Sequence, residues 1–289
     1  MNPRWIAETL HEKGGLTTSY RADKVFYEDN TGQQALTIFD NPTFGRMMTL
    51  DGATQVSTHD EFIYHEMMTH VPVLAHGTVR SLLIIGGGDG GILREALRHK
   101  AIETVTMVEI DAGVIEFSKL HLPMVSDGAF DDPRVELVIA DGTKFVAETD
   151  KRFDVVIVDS TDPEGPGAVL FAEAFYADVK RVLTRGGIIV TQNGVPFLQP
   201  AELTSTIIKF RRLFGDASCY LATIPTYVGG PMAMGWGSDN GALRNLPVAT
   251  LTARFVLADF ETRYYTPEVH AAAFALPRYV QACFPAQAK

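Results

Sequence analysis

The chain has 289 residues, 46% of them hydrophobic and 21% charged, with a formal net charge of −10 at pH 7. That composition suits a folded chain with a sizeable core and excludes disordered and collagen-like classes, and the acidic balance disfavours nucleic acid as a partner. No apolar run approaches the roughly 20 residues needed to span a bilayer, so no membrane partner is expected.

Met1–Leu10 is polar and mixed in charge, unlike a secretory leader. The two cysteines, Cys219 and Cys283, have no metal-like spacing and read as free thiols of a reducing, cytoplasmic compartment.

From Leu16 to Ser57 the chain reads as short strands, Lys24–Tyr27, Gln34–Phe39, Arg46–Leu50 and Thr54–Ser57. They are punctuated by Asn30-Thr31-Gly32, Asn41-Pro42 and Asp51-Gly52, the last a good hairpin signal. Thr58-His59-Asp60-Glu61 reads as a capping box with Thr58 as N-cap, opening a helix from Glu61 to Ala75 that Pro72 should bend.

Strand and helix then alternate. The expected strands are Ser81–Ile85, Thr104–Glu109, Val135–Ile139, Asp154–Val158 and Ile188–Gln192, with helices over Gly91–His99, Ala112–His121 and Phe171–Val182. Tyr220–Ile224 and Met232–Gly237 read as a late antiparallel pair. The fold class is therefore α/β: a small N-terminal antiparallel β module, residues 1–60, followed by a Rossmann-like catalytic domain, residues 61–289.

Ser81 to Arg94 reads as strand, glycine turn and helix, and Gly86, Gly88 and Gly91 satisfy G-x-G-x-x-G. Glu109 ends the next strand, 21 residues after Gly88, where a carboxylate would take ribose hydroxyls. A dinucleotide would lay its pyrophosphate on this helix N-terminus. Asp89 stands inside that loop, and a carboxylate a few ångströms from a phosphate is unfavourable by at least about 1 kcal/mol. Asp89 would also compete for the same N–H donors. It speaks against NAD or FAD and for an adenosine with a cationic tail, such as an adenosyl-sulfonium.

Further acids fall where open α/β sheets bind ligands. Asp141-Gly142 follows the third strand and suits an adenine edge, Asp159 closes the fourth, and Asp162 lies three residues on. The Pro163–Gly167 run reads as a rigid loop or as a lid that would exclude water. His65 and His70 suggest a zinc helix at first sight. Their five-residue spacing sets them about 140° apart around a helix, so no metal site is expected.

These residues carry a resemblance. Gly45-Arg46, Leu50-Asp51-Gly52, Asp60-Glu61-Phe62-Ile63-Tyr64-His65-Glu66, Leu83–Gly90, Val108-Glu109-Ile110-Asp111, Asp159-Ser160-Thr161-Asp162-Pro163 and Ile224-Pro225-Thr226-Tyr227 closely resemble the spermidine synthases, the polyamine aminopropyltransferases. The likeness runs in order from about Leu10 to Pro277.

It implies a methyltransferase-like Rossmann domain behind the β module, a homodimer or homotetramer, and no cofactor. The implied reaction moves an aminopropyl group from decarboxylated S-adenosylmethionine, a co-substrate, to putrescine, leaving methylthioadenosine. By resemblance Gln34, Glu109, Asp141, Gly142 and Pro166 contact the nucleoside, and Asp89 holds the aminopropyl amine. Tyr64, His65, Asp162 and Tyr227 line the diamine pocket, and Asp159 accepts the proton.

Ala140 and Glu164 depart from the common pattern, which leaves the acceptor open between putrescine, cadaverine, agmatine and longer polyamines. An S-adenosylmethionine-dependent methyltransferase on the same fold, or a non-catalytic polyamine-binding protein, are the alternatives.

Overall fold

The computed structural model describes residues 4–30, 35–160 and 169–285. Two small antiparallel sheets open the chain. β1 (Arg4–Glu8) pairs with β2 (Thr18–Ala22), and β3 (Lys24–Asn30), β4 (Ala35–Asn41), β5 (Gly45–Leu50) and β6 (Ala53–Ser57) form a meander in that order. Asp51 (φ 50°) and Gly52 (φ 78°) both take the left-handed conformation that a tight hairpin turn needs. β1 was absent from the sequence reading because most of its residues are solvent-exposed, so no apolar alternation marks it.

α1 (Glu61–His76) runs unbroken through Pro72, but no capping box opens it. Asp60 stands at the N-cap with no side-chain bond to the helix, because its carboxylate accepts the Thr226 N–H at 2.7 Å and the Thr226 hydroxyl. The Thr58 hydroxyl instead accepts the Arg46 N–H at 2.9 Å, and Glu61 turns toward His65 and Arg94. Tertiary partners outcompete the local cap at each position.

The second unit is built on a seven-stranded sheet. Its strands are β7 (Ser81–Gly86), β8 (Thr104–Glu109), β9 (Val135–Ile139), β10 (Phe153–Asp159), β11 (Leu183–Gln192), β12 (Asp216–Ala222) and β13 (Met232–Ser238), in the order β12-β13-β11-β10-β7-β8-β9. The β11-β10-β7-β8-β9 stretch is parallel, and β13 pairs antiparallel with both β11 and β12. Helices α2 (Gly91–Leu97), α3 (Ala112–His121), α4 (Pro123–Ser126), α5 (Gly142–Glu148), α6 (Glu173–Val182), α7 (Pro200–Leu213), α8 (Val248–Ala258), α9 (Pro267–Ala273) and α10 (Arg278–Gln281) complete it.

Strands buried on both faces explain the continuous apolar runs. Leu82, Ile84, Val155 and Ile157 pack with Met67, Met68 and Val71 of α1, while Leu83, Ile85, Val156 and Val158 pack with Phe175, Tyr176 and Phe210 of α6 and α7.

From β7 the chain winds outward to β8 and β9, then returns to β10 on the other side of β7. Ligands gather at such a switch point, and here Gly86 and Asp159 are register partners. The β module sits over the same end. Leu36, Ile38, Met48 and Val56 pack against Val114, Leu122 and Val125, and Tyr27 stacks on Phe117 with centroids 4.0 Å apart.

Candidate active site

A cavity of about 410 Å³ opens where the strand ends of β7, β8 and β10 meet α1 and the β module. Asp89, Glu109, Asp141, Gly142, Asp159, Tyr64, His65 and Tyr227 all line it. The sequence thus named eight residues, from six separate segments, that the fold brings together. Gln34, Asp162 and Pro166 lie outside the described residues, as do Glu164 and the whole Pro163–Gly167 run read as a rigid loop or lid.

One end of the cavity is shaped by backbone. Gly86 and Gly87 have φ of 83° and 74°, and a Cβ on Gly86 would fall 2.0 Å from the Asp159 carbonyl oxygen. The Gly87 N–H donates to that same carbonyl at 3.0 Å, tying the glycine turn to the end of β10. Asp89, 8% exposed, accepts the Gly91 N–H on Oδ1 at 2.8 Å, and its Oδ2 lies 3.3 Å from His65 Nε2. Its carboxylate thus occupies a donor that a pyrophosphate would need. Burial opposes its charge, but His65 and the Gly91 N–H outweigh burial and hold Asp89 below the usual carboxylate range.

Glu109 ends β8 and accepts the Asp111 N–H at 2.9 Å, and burial pushes it up to about 7. Asp141 caps α5, accepting from the Thr143 hydroxyl at 2.6 Å and the Thr143 N–H at 2.8 Å. That hydroxyl bond, more than the N–H, keeps Asp141 below its ordinary value. Gly142 is required by space, since a Cβ there would meet Ile85 Cγ2 at 2.5 Å.

The other end is built of side chains. The Tyr64 hydroxyl donates to Asp159 Oδ1 at 2.5 Å. Burial first, and the neighbouring Asp89 charge second, raise Asp159 to about 6. Burial also lifts Tyr64 well above its usual value, so it remains a donor across the physiological range. Tyr227 meets the Tyr64 ring edge-on, with centroids 6.1 Å apart, and its hydroxyl donates to the Gln55 carbonyl. Asp60 fixes this loop through Thr226, whose carbonyl also accepts the Tyr20 hydroxyl at 3.2 Å.

Sequence reasoning missed three residues here, Glu8, Gln55 and Gln192, all in the cavity wall. Glu8, 8% exposed, accepts the Thr54 N–H at 2.6 Å and the Leu10 N–H at 3.2 Å. Gln192 donates to the Ser160 carbonyl at 3.1 Å and accepts the Gly194 N–H at 2.7 Å. Gln192 ends β11, so the strand-end rule that found the acids would have found it. Nothing local marks Glu8.

Among the described residues no cluster of three or more His, Cys, Asp or Glu could hold a metal ion, and no helix is long and apolar enough to cross a membrane. The arrangement offers a largely apolar cavity carrying several acids, with Asp89 held ionised and Asp159 and Glu109 raised toward neutrality. It can bind an adenosine with a cationic tail and take a proton beside it.

Comparison with known proteins points the same way. Residues 61–246 match the spermine/spermidine synthase domain, and residues 4–58 match the spermidine synthase tetramerisation domain. A polyamine aminopropyltransferase of Ruegeria sp. (strain TM1040) is 59% identical over 281 residues, covering 97% of this chain and 98% of the relative. A crystal structure of a spermidine synthase in complex with the transition-state analogue AdoDATO superposes with a TM-score of 0.92 at 35% identity, covering 98% of this chain and 96% of that one. The spermidine synthase of Thermotoga maritima gives 0.88 at 33% identity, covering 98% and 95%.

Proposed function

The chain belongs to the spermine/spermidine synthase family, and from that premise we propose that it moves the aminopropyl group of decarboxylated S-adenosylmethionine to putrescine, giving spermidine and methylthioadenosine. It is an aminopropyltransferase. The observation that carries the residue-level reading is the contrast between two cavity acids: Asp89 held ionised and Asp159 raised to about 6 beside the Tyr64 hydroxyl.

The reaction is an in-line displacement. An amine nitrogen forms a bond to the carbon next to the sulfonium, the C–S bond breaks, and a neutral thioether leaves. The leaving group is already activated, so the chemistry asks nothing of a metal or redox cofactor. The obstacle is the amine. With a pKa near 10.4, about one molecule in 2,500 is neutral at pH 7, a cost of roughly 4.6 kcal/mol.

Asp159 is the proton acceptor. An ordinary carboxylate would lie about 6.5 pH units below the amine. The value of about 6 at Asp159 narrows that gap, and desolvation between the Tyr64 and Tyr227 rings lowers the amine toward it.

Asp89 holds the aminopropyl amine with His65 beside it. Glu8 has both oxygens fixed by backbone N–H groups and faces the same cavity, which suits the far, still-protonated end of the diamine. Glu109 takes the ribose hydroxyls, and Asp141 with Gly142 reads the adenine edge. Gln34 and Pro166 join the nucleoside side, and Asp162 the diamine side, on the strength of the family likeness.

We also assign the chain a division near residue 60, a homodimeric or homotetrameric assembly and a cytoplasmic setting. The test of the reaction is methylthioadenosine release with decarboxylated donor and a panel of diamines of increasing length. Asp159→Asn should lower turnover by a factor of about 100 to 10,000, the usual scale for a general base. Near-normal turnover would remove Asp159 from this role, and methyl transfer from S-adenosylmethionine would overturn the reaction itself.

A further inference from the structure

Behind Asp89 lies a chain of charges that the displacement does not touch. His65, 2% exposed, has Nδ1 2.5 Å from Glu61 Oε2 and Nε2 3.3 Å from Asp89 Oδ2. Arg94 donates to both Glu61 oxygens, at 3.2 and 2.8 Å, and its Nε donates to Glu95 at 2.8 Å. The imidazole ring is wedged against the glycine turn: a Cβ on Gly91 would fall 2.1 Å from His65 Cε1. The ring is thus buried and packed against Gly91 between the two carboxylates.

A neutral imidazole donates from one nitrogen only. With a carboxylate at each nitrogen, the neutral ring would set a lone pair against an anion. Only the doubly protonated ring makes both contacts attractive.

We propose that Glu61 is a positioning residue: through His65, held as an imidazolium between two carboxylates, it keeps Asp89 in place and ionised, so that Asp89 does not compete with the neighbouring Asp159 for a proton. Two buried carboxylates without such a cation compete for one proton, and neither is then reserved as anchor or as base.

The groups facing His65 agree with this. Glu61 and Tyr64 lie on its own helix, Asp89 on the glycine turn, Arg94 on α2, Asp159 at the end of β10, and Tyr227 beyond Tyr64. Burial pulls the His65 imidazole down, yet Asp89 and Glu61 more than reverse it and carry it to about 10. Its charge in turn favours the ionised form of Asp89.

The role given to Asp89 rests on the aminopropyl-transfer reading, whereas the charge on His65 does not. Nitrogen-15 spectra of the histidine rings in the unliganded protein at about pH 8 read that charge directly, where a free histidine would be neutral. Both His65 nitrogens should be protonated, and a ring with one proton overturns the proposal whatever the enzyme's activity.

Glu61→Gln keeps the hydrogen bond but removes the charge. It should lower the pH at which His65 titrates by about one unit or more and raise the donor KM about tenfold. The acid limb of the pH profile should also move, with kcat at saturating donor changing far less. Donor KM and pH profile both unchanged in this variant would sink the proposal, and if the variant fails to fold, the wild-type spectrum still decides.

Discussion

The two ends of the cavity are built in different ways. At the end proposed for the nucleoside, Gly86, Gly87, Glu109, Asp141 and Gly142 sit at strand ends or in the turns that follow them, so their positions come from the sheet and from local turns and caps. At the end proposed for the amine, Glu8 and Gln55 come from the β module and Tyr64, Gln192 and Tyr227 from α1, the end of β11 and the segment after β12, so side chains of both parts of the chain converge there. The first end is rigid by construction and tied to the fold. The second is a set of side chains, two of which, Tyr64 and Gln192, also bond Asp159 and the Ser160 carbonyl at the end of β10. On the proposed reading, donor recognition and acceptor recognition should be separable.

The most severe break of that division is at Asp89, which stands on the donor side yet should govern the aminopropyl tail. Asp89→Ala should raise the donor KM by about 10- to 100-fold, the loss expected when a charged hydrogen bond is removed. It should also erase the preference for decarboxylated over unmodified S-adenosylmethionine, whose extra carboxylate Asp89 repels. Competition between the two donors measures it, and an unchanged ratio would remove Asp89 from donor selection.

Glu8→Gln should raise the acceptor KM by roughly tenfold, the smaller cost of losing one charge while keeping the amide's hydrogen bonds. The donor KM should stay within about twofold, since donor and acceptor contacts with no shared partner are nearly additive. Equal effects on both substrates would dissolve the division between the two ends.

A stability measurement sharpens the contrast. Asp159 sits at about 6 in the fold against 3.8 for the free group. A raised carboxylate favours the protonated form in the folded state, so its penalty is absent below about pH 4 and complete above about 6. Asp159→Asn should stabilise the protein by about 1 to 3 kcal/mol at pH 7.5 and by little near pH 4. Thermal melts at the two values test this, and equal shifts would mean that burial of the charge is not what the fold tolerates at this site. The same titration should make wild-type kcat/KM climb with pH through about 6, read from initial rates with the amine's own ionisation corrected.

What was legible in the sequence follows the same line. The glycine turn, Glu109, Asp141 and Asp159 announce themselves because strand, turn and helix are local signals, and the sheet then gathers their ends. Gln192 was within reach of the same rule but passed over because it is neutral. Glu8 was invisible: its strand buries too little to show a pattern, and its partner, the Thr54 N–H, is 46 residues away. The misread capping box has a related cause. Thr58, Asp60 and Glu61 carry the right residue types, but each is claimed by a distant partner, Arg46, Thr226 and Arg94. Glu66 belongs to a motif that predicts no role for it. It accepts three consecutive N–H groups, from Arg263, Tyr264 and Tyr265 at 2.8, 2.8 and 2.7 Å, and so anchors the C-terminal segment to α1.

The bond from the Gly87 N–H to the Asp159 carbonyl has a mechanical meaning. It ties the glycine turn to the end of the strand that carries Asp159, so on the proposed reading the donor's seat and the base are joined through one backbone bond. Replacing side chains around the proposed amine end should then alter which acceptor fits while leaving that tie between turn and strand end in place.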